Sequence, residues 1–310
     1  MAKVAVATRY GGPENATVID QPTPEPGPGE VRVAVRAAAV NPIDYKVYSG
    51  LFGENPDRLP IRLGFEAAGV IDAIGPEVDG LGGGDEVIGH PIPGASAERI
   101  VAPASSFVRK PANVTWEEAA GMLLVGATAI HALTATDVKA GDTVLIHGAG
   151  GVGLAAVQLA AARGVRPIVT ASAAKHDDLR ALGAEPVAYG DGLLERVQEI
   201  APDGVHAAFD TVGSQEALDV SLALVADRDR IATIANFAGG AEAGIKLLGG
   251  GPGADPGTEI RSAAKSELVE LAAAGKFKVI VDRTFPLADV ADAHAYQASG
   301  HATGKVVLIP

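Results

Sequence analysis

Lys3–Thr8 is a Val/Ala run bounded by polar residues, and over Glu30–Ala37 Val alternates with Glu, Arg and Ala. A period of two predicts strands with one face buried. Between them Pro22, Pro24, Pro26 and Pro28 stand among Gly27 and Gly29, a composition that excludes a helix and predicts a turn-rich connection. Further short strands are predicted near residues 67–74, 86–88, 98–101 and 107–109, parted by turns at Gly80–Gly84 and Pro91–Gly94. Many short strands with Gly/Pro turns predict a small barrel-like domain.

The pattern changes at Thr115. Thr115 reads as an N-cap, with Glu117 and Glu118 in the first turn of an apolar helix that runs to about Leu133. Strands then alternate with helices. Strands are predicted at Thr143–His147, Pro167–Thr170, Pro186–Ala188, Ala207–Asp210 and Ile231–Ala235, with helices after Gly150 and from Lys175, Gly192 and Gln215. Near-continuous apolar strands between helices predict an α/β fold with a doubly wound parallel sheet covered on both faces. Gly239–Gly257 is Gly-rich and helix-poor and reads as a mobile loop near the sheet edge, with a disordered connector as the alternative. A helix at Ser262–Gly275, a strand at Lys278–Phe285, a helix from Leu287 and a closing strand at Lys305–Ile309 complete the chain, the last returning to the first domain.

The 310 residues, 47% of them hydrophobic and 20% charged, suffice for two globular cores. A net charge of -13 repels phosphate backbones and anionic lipid, which argues against nucleic-acid and membrane-surface partners. The absence of cysteine excludes disulfides and thiolate metal sites. Met1–Tyr10 has no signal-like apolar core, and the run Ala119–Ala135 is too short to span a membrane. A cytoplasmic enzyme or binding protein is expected.

The sharpest motif follows the strand Thr143–His147: Gly148, Ala149, Gly150, Gly151, Val152, Gly153, a G-x-G-x-x-G that opens an apolar helix. Gly148 suits a tight turn, Gly150 lets the backbone approach a pyrophosphate, and Gly153 lets helix pack on strand. The helix start offers free N–H groups and a positive dipole end. A dinucleotide is therefore expected. NAD sites place a carboxylate about 20 residues on, at the end of the second strand. Here that stretch reads Thr170-Ala171-Ser172-Ala173-Ala174-Lys175, and the first acid, Asp177, falls inside the next helix. Ser172 and Lys175 are placed to receive a 2′-phosphate, so NADPH is the expected cofactor; the alternative for Lys175 is a solvated first-turn residue.

Several separated segments resemble one family: Ala39-Val40-Asn41-Pro42-Ile43-Asp44, Gly64-Phe65-Glu66-Ala67-Ala68-Gly69, Gly84-Asp85-Glu86-Val87, Val125-Gly126-Ala127-Thr128-Ala129, the Gly-rich loop, Phe209-Asp210-Thr211-Val212-Gly213 and Gly304-Lys305-Val306-Val307. In this order they resemble the medium-chain dehydrogenase/reductase superfamily, and within it the zinc-free quinone oxidoreductase (zeta-crystallin-like) branch. The resemblance implies a GroES-like catalytic domain, residues 1–117 and 263–310, interrupted by a Rossmann domain, residues 118–262. It implies a homodimer joined through the nucleotide-domain sheets. Its zinc-dependent relatives carry Cys, His-Glu and Cys where this chain has Asn41, Phe65-Glu66 and Leu124, a donor set unable to replace thiolates and imidazole.

The chemistry implied is hydride transfer from NADPH to a quinone or an α,β-unsaturated carbonyl compound, a small-molecule substrate, with an oxyanion to stabilise and a proton to supply. Asn41, Tyr45, Lys46 and Tyr48 are the candidates; Asn41 fits an amide contact to cofactor or substrate, and Tyr45, Lys46 or Tyr48 fits the proton donor. Packing within an amphipathic segment is the alternative for each tyrosine. The resemblance also implies cofactor contacts from Thr128, Tyr189, Thr211, Val212, Ile234 and Lys305. Reduction of an enoyl-thioester is a second reading, and a cofactor-binding protein without turnover a third.

Overall fold

The computed structural model describes residues 1–310. The chain forms two units, residues 1–124 with 268–310, and residues 125–267.

In the first unit one sheet of seven strands runs in the order Val281–Pro286, Lys305–Ile309, Glu30–Val40, Ala67–Ile74, Glu86–Gly89, Phe107–Arg109, with Arg99–Pro103 also paired to Glu30–Val40. A second sheet places Ala2–Ala7 between Ala16–Gln21 and Ile61–Arg62. The alternation over Glu30–Ala37 lies within the longer strand Glu30–Val40 and is visible in its buried Val31, Val33 and Val35, which pack with Val4, Val6, Ile71, Val87 and Ile100. The closing strand does return to this unit: it pairs antiparallel with Glu30–Val40, Val306 opposite Val40.

The second unit carries a parallel sheet in the order Glu185–Val187, Arg166–Thr170, Thr143–His147, Ala207–Asp210, Ile231–Thr233, Lys246–Leu247. Helices cover it, among them the apolar Gly151–Ala162. The strand order reverses direction beside Thr143–His147, which leaves a crevice at the carboxyl ends of the strands on either side of it.

Two elements differ from the sequence expectation. The apolar helix from Thr115 is two helices, Trp116–Ala120 and Leu123–Ala135. Thr115 and Glu118 form the capping box their spacing predicts. The break falls at Gly121, where a Cβ would lie 2.8 Å from Cε of Lys305. Because Trp116–Ala120 packs on the strands Glu30–Val40 and Ala67–Ile74, the first unit extends to Leu124. The Gly-rich stretch from Gly239 also holds structure. A helix, Phe237–Ala243, is capped by the Asn236 side chain accepting from the Gly239 N–H, and Lys246–Leu247 forms the edge strand. Packing overrides the poor helix propensity of glycine here, for a Cβ on Gly240 would press on Leu247 at 2.7 Å. The remaining loop is tied down at Asp255, whose carboxylate accepts from the Gly257 N–H and contacts His131 Nε2.

Candidate functional site

The Gly-rich turn sits at the carboxyl end of Thr143–His147. Gly148 has φ of 96°, left-handed backbone that glycine adopts without strain, and its N–H donates to the Thr170 hydroxyl. Gly153 is buried in the first turn of Gly151–Ala162; a Cβ there would lie 1.9 Å from the Gly148 carbonyl oxygen. At Gly150, by contrast, an added Cβ meets no atom within 4 Å. The turn is thus closed toward the sheet and open on the side that a pyrophosphate would take, in front of a helix N-terminus.

The other predicted contacts follow the carboxyl ends of neighbouring strands in the same sheet. Ser172 and Lys175 follow Arg166–Thr170, and no bond within the protein engages either side chain. Asp177, the first acid beyond, is ion-paired outward to Arg180. Tyr189 follows Glu185–Val187 and is exposed at 61%. Thr211 and Val212 follow Ala207–Asp210. The Thr211 hydroxyl donates to the His147 carbonyl, and Val212 is 56% exposed. Asp210 builds this turn by accepting from the Val212 and Gly213 N–H groups and from the Thr233 hydroxyl. Ile234 donates its N–H to the Asp210 carbonyl.

The first unit holds a different cluster. Asn41 precedes the helix Pro42–Tyr48, and its N–H donates to Asp44 Oδ2. The Lys305 ammonium donates to Asn41 Oδ1 and, at 2.8 Å, to Glu66 Oε1. Asn41 Nδ2 donates to the same Glu66 oxygen at 3.1 Å, and the Leu124 N–H donates to Glu66 Oε2 at 2.9 Å. All four polar side chains are buried: Asn41 1%, Asp44 1%, Glu66 0% and Lys305 4% exposed. Burial pushes the Asp44 carboxyl up to about 7, against the Asn41 N–H and the Lys305 charge, which pull it down. Asp44 Oδ1 has no hydrogen-bond partner.

These contacts bear on four expectations. Tyr48, a candidate proton donor, is fully buried, its hydroxyl lies 2.9 Å from His294 Nδ1, and burial raises its pKa. Lys305 was expected at the nicotinamide, but its ammonium is spent on Glu66 and Asn41. Asn41, expected to meet cofactor or substrate, has both ends of its amide engaged inside the protein. The Thr128 hydroxyl accepts from Arg261 Nη1, a bond from the helix Thr258–Ala273 that no local pattern signals. Tyr45 and Lys46 remain, half-buried on the helix after Asn41. The Asp44 cap was readable, since Asn41 with an acid three residues on is a capping signature. The Tyr48–His294 pair, 246 residues apart in sequence, was not.

Residues 27–112 match the alcohol dehydrogenase GroES-like domain family, and residues 182–308 match the zinc-binding dehydrogenase family. A quinone oxidoreductase of Pseudomonas aeruginosa is 36% identical over 330 residues, covering 100% of both chains. The chloroplastic NADPH-dependent alkenal/one oxidoreductase of Arabidopsis thaliana is 30% identical, over 93% of this chain and 74% of its own length. The crystal structure of Escherichia coli quinone oxidoreductase complexed with NADPH superposes with a TM-score of 0.87 at 29% identity, covering 99% of this chain and 100% of that one.

Zinc does not fit the residues present. Asn41, Glu66 and Leu124 offer one carboxylate and one amide, both already bonded to an ammonium, and no group of three His, Cys, Asp or Glu side chains converges anywhere. NADPH does fit: the open face at Gly150 and the unengaged Ser172 and Lys175 suit a pyrophosphate and a 2′-phosphate.

Proposed function

The chain belongs to the quinone oxidoreductase, zeta-crystallin-like branch of the medium-chain dehydrogenase/reductase superfamily, and from that premise we propose that it reduces quinones or α,β-unsaturated carbonyl compounds with NADPH and without zinc. The observation that carries the reading is the Gly148–Gly153 turn, closed toward its own sheet and open at Gly150. When bound, NADPH supplies the hydride. The protein's part is to hold and to protonate. The Gly-rich turn and the start of Gly151–Ala162 hold the pyrophosphate, and Ser172 and Lys175 hold the 2′-phosphate. Tyr189, Val212 and Ile234 border the cofactor. Tyr45 or Lys46 delivers the proton to the reduced acceptor; both are half-buried, while Tyr48 faces the core. The enzyme is cytoplasmic and acts on a small molecule. No helix is long and apolar enough to cross a membrane. We propose a homodimer, as the family resemblance implies; the nucleotide-unit sheet ends at the short strands Glu185–Val187 and Lys246–Leu247.

The test is a panel of acceptors with both cofactors: a benzoquinone, an alkyl enone and an enoyl-thioester. Oxidation of NADPH by the first two, unchanged by chelators, is expected. Faster turnover of the thioester would move the assignment to that class, and cofactor binding without any turnover would refute the enzymatic reading.

Lys175→Glu tests the cofactor preference. Reversing a charge against the 2′-phosphate removes an interaction of roughly 1.5–3 kcal/mol and adds repulsion. The dissociation constant for NADPH should rise about a hundredfold while that for NADH changes less than about threefold. Equal shifts in a fluorescence titration would refute the assignment of the 2′-phosphate to Lys175.

A further inference from the structure

The cluster of Asn41, Glu66 and Lys305 asks for an explanation that stability does not give. A buried ion pair is seldom more stable than well-packed apolar side chains of the same volume, because desolvation offsets the Coulombic gain. This one is nevertheless accommodated by the chain around it. The helix breaks at Gly121 to let the Lys305 stem pass, and Gly304 lies where a Cβ would be 2.3 Å from the Ile280 carbonyl oxygen. The sheet register delivers Lys305 to its place, for Val306 lies opposite Val40 and the next step brings Lys305 beside Asn41.

We propose that Lys305 is a positioning residue, whose ammonium ties Glu66 to Asn41 and so fixes the first turn of the helix that presents Tyr45 and Lys46. The inference rests on the functional reading above. Helix Pro42–Tyr48 has seven residues, too few to hold a geometry alone. Its start is set from outside at one residue. The Asn41 backbone N–H donates to Asp44 Oδ2, its side-chain Oδ1 accepts from the Lys305 ammonium and its Nδ2 donates to Glu66 Oε1. Glu66 is in turn anchored to the backbone at Leu124. Three chain segments, remote in sequence, are thereby cross-linked at the positions where zinc-dependent relatives hold their metal. Here the ammonium provides the cross-link, with geometry rather than reactivity as its product.

The experiment separates positioning from plain stability. Lys305→Met leaves Glu66 buried without a counter-charge and will destabilise; the double variant Lys305→Met/Glu66→Gln removes that charge as well. With saturating NADPH and either benzoquinone or an alkyl enone, the double variant should melt close to the wild type yet keep a kcat about ten- to a hundredfold lower, the usual cost of displaced reacting groups. Its dissociation constant for NADPH should stay within about threefold, since the nucleotide site belongs to the other unit. Because the chain has no cysteine, Lys305→Cys can be alkylated with 2-bromoethylamine in the unfolded state and refolded, which returns an ammonium at that position alone. That protein should recover most of the lost kcat. A readout independent of turnover is amide exchange at Asp44 and Tyr45, which should quicken at least about tenfold in the double variant. A double variant with wild-type kcat and wild-type exchange overturns the proposal, as does aminoethylation that restores neither. If the wild-type protein reduces no acceptor, the functional reading fails by itself, and the exchange rates still decide whether Lys305 holds the turn.

Discussion

Gly150→Val should fold as the wild type does and bind neither NADPH nor NADH. Gly150 caps the helix Gly151–Ala162 with φ of -88° and ψ of -169°, extended backbone that a β-branched residue adopts readily. A Cβ there meets nothing within 4 Å, so no neighbour must move. The added isopropyl group fills only the space in front of the helix N-terminus, where the pyrophosphate must come within hydrogen-bond reach of the backbone. Loss of that approach should weaken both cofactors by at least about a thousandfold, because it removes several charge-assisted bonds together. The melting temperature should stay within about 3 °C. Gly153→Ala is the contrasting variant. Its single methyl would lie 1.9 Å from the Gly148 carbonyl oxygen, backbone that cannot turn away, so the turn itself must distort and the unit should lose several kcal/mol of stability. Thermal melts with fluorescence titration of each cofactor check both. Gly150→Val binding either cofactor within tenfold of wild type would remove the pyrophosphate from this turn.

The nucleotide unit was the more legible half because its signals are local. A buried strand, a G-x-G-x-x-G and an apolar helix are consecutive in sequence, and Thr143–His147 runs into Gly148 and Gly151–Ala162 as that order requires. The missing carboxylate after Thr170 is likewise a statement about adjacent residues. The catalytic unit gave up its fold but less of its chemistry. Its strands alternate and were found, whereas the partners of its polar residues come from far away. Lys305 reaches Asn41 across 264 residues and Glu66 across 239. Nothing near Lys305 distinguishes a buried ammonium from a solvated strand end. Tyr45 and Tyr48 looked equivalent by composition, and the three-residue step sets them side by side with rings 5.5 Å apart; only Tyr48 is fully buried, where it reaches His294. The Gly-rich stretch failed for a related reason. Propensity argued against a helix at Phe237–Ala243, and the close approach of Leu247 to Gly240, which needs that glycine, is a tertiary fact.

Stability should pass through a maximum near neutral pH, and Asp44→Asn should change its shape in a defined way. Burial holds His147 and His294 down to about 4, His147 partly offset by the Asp210 charge. An unfolded chain takes up protons on both as pH falls below about 6.5, and the folded chain does not until about 4, so stability falls with falling pH across that window. Asp44 acts in the opposite direction. Folded, its carboxyl is held up to about 7, while unfolded it titrates near 3.8; the folded state therefore keeps a proton that the unfolded state releases, and stability rises as pH falls from 7. Among these three groups, two histidines against one carboxyl leave a net uptake of one proton on unfolding between about 4 and 6.5; His131, also lowered by burial, acts in the same direction, so stability falls toward acid. Asparagine at position 44 can still accept from the Asn41 N–H through its side-chain oxygen but carries no charge to bury. The variant should melt higher than wild type at pH 8, where the buried carboxylate is ionised and costly. Below pH 6.5 it should lose stability more steeply, because the opposing carboxyl is gone. A melting curve against pH that runs parallel to the wild type throughout would show that Asp44 does not titrate in this range, and with it would fall the account of this carboxyl as an isolated buried acid.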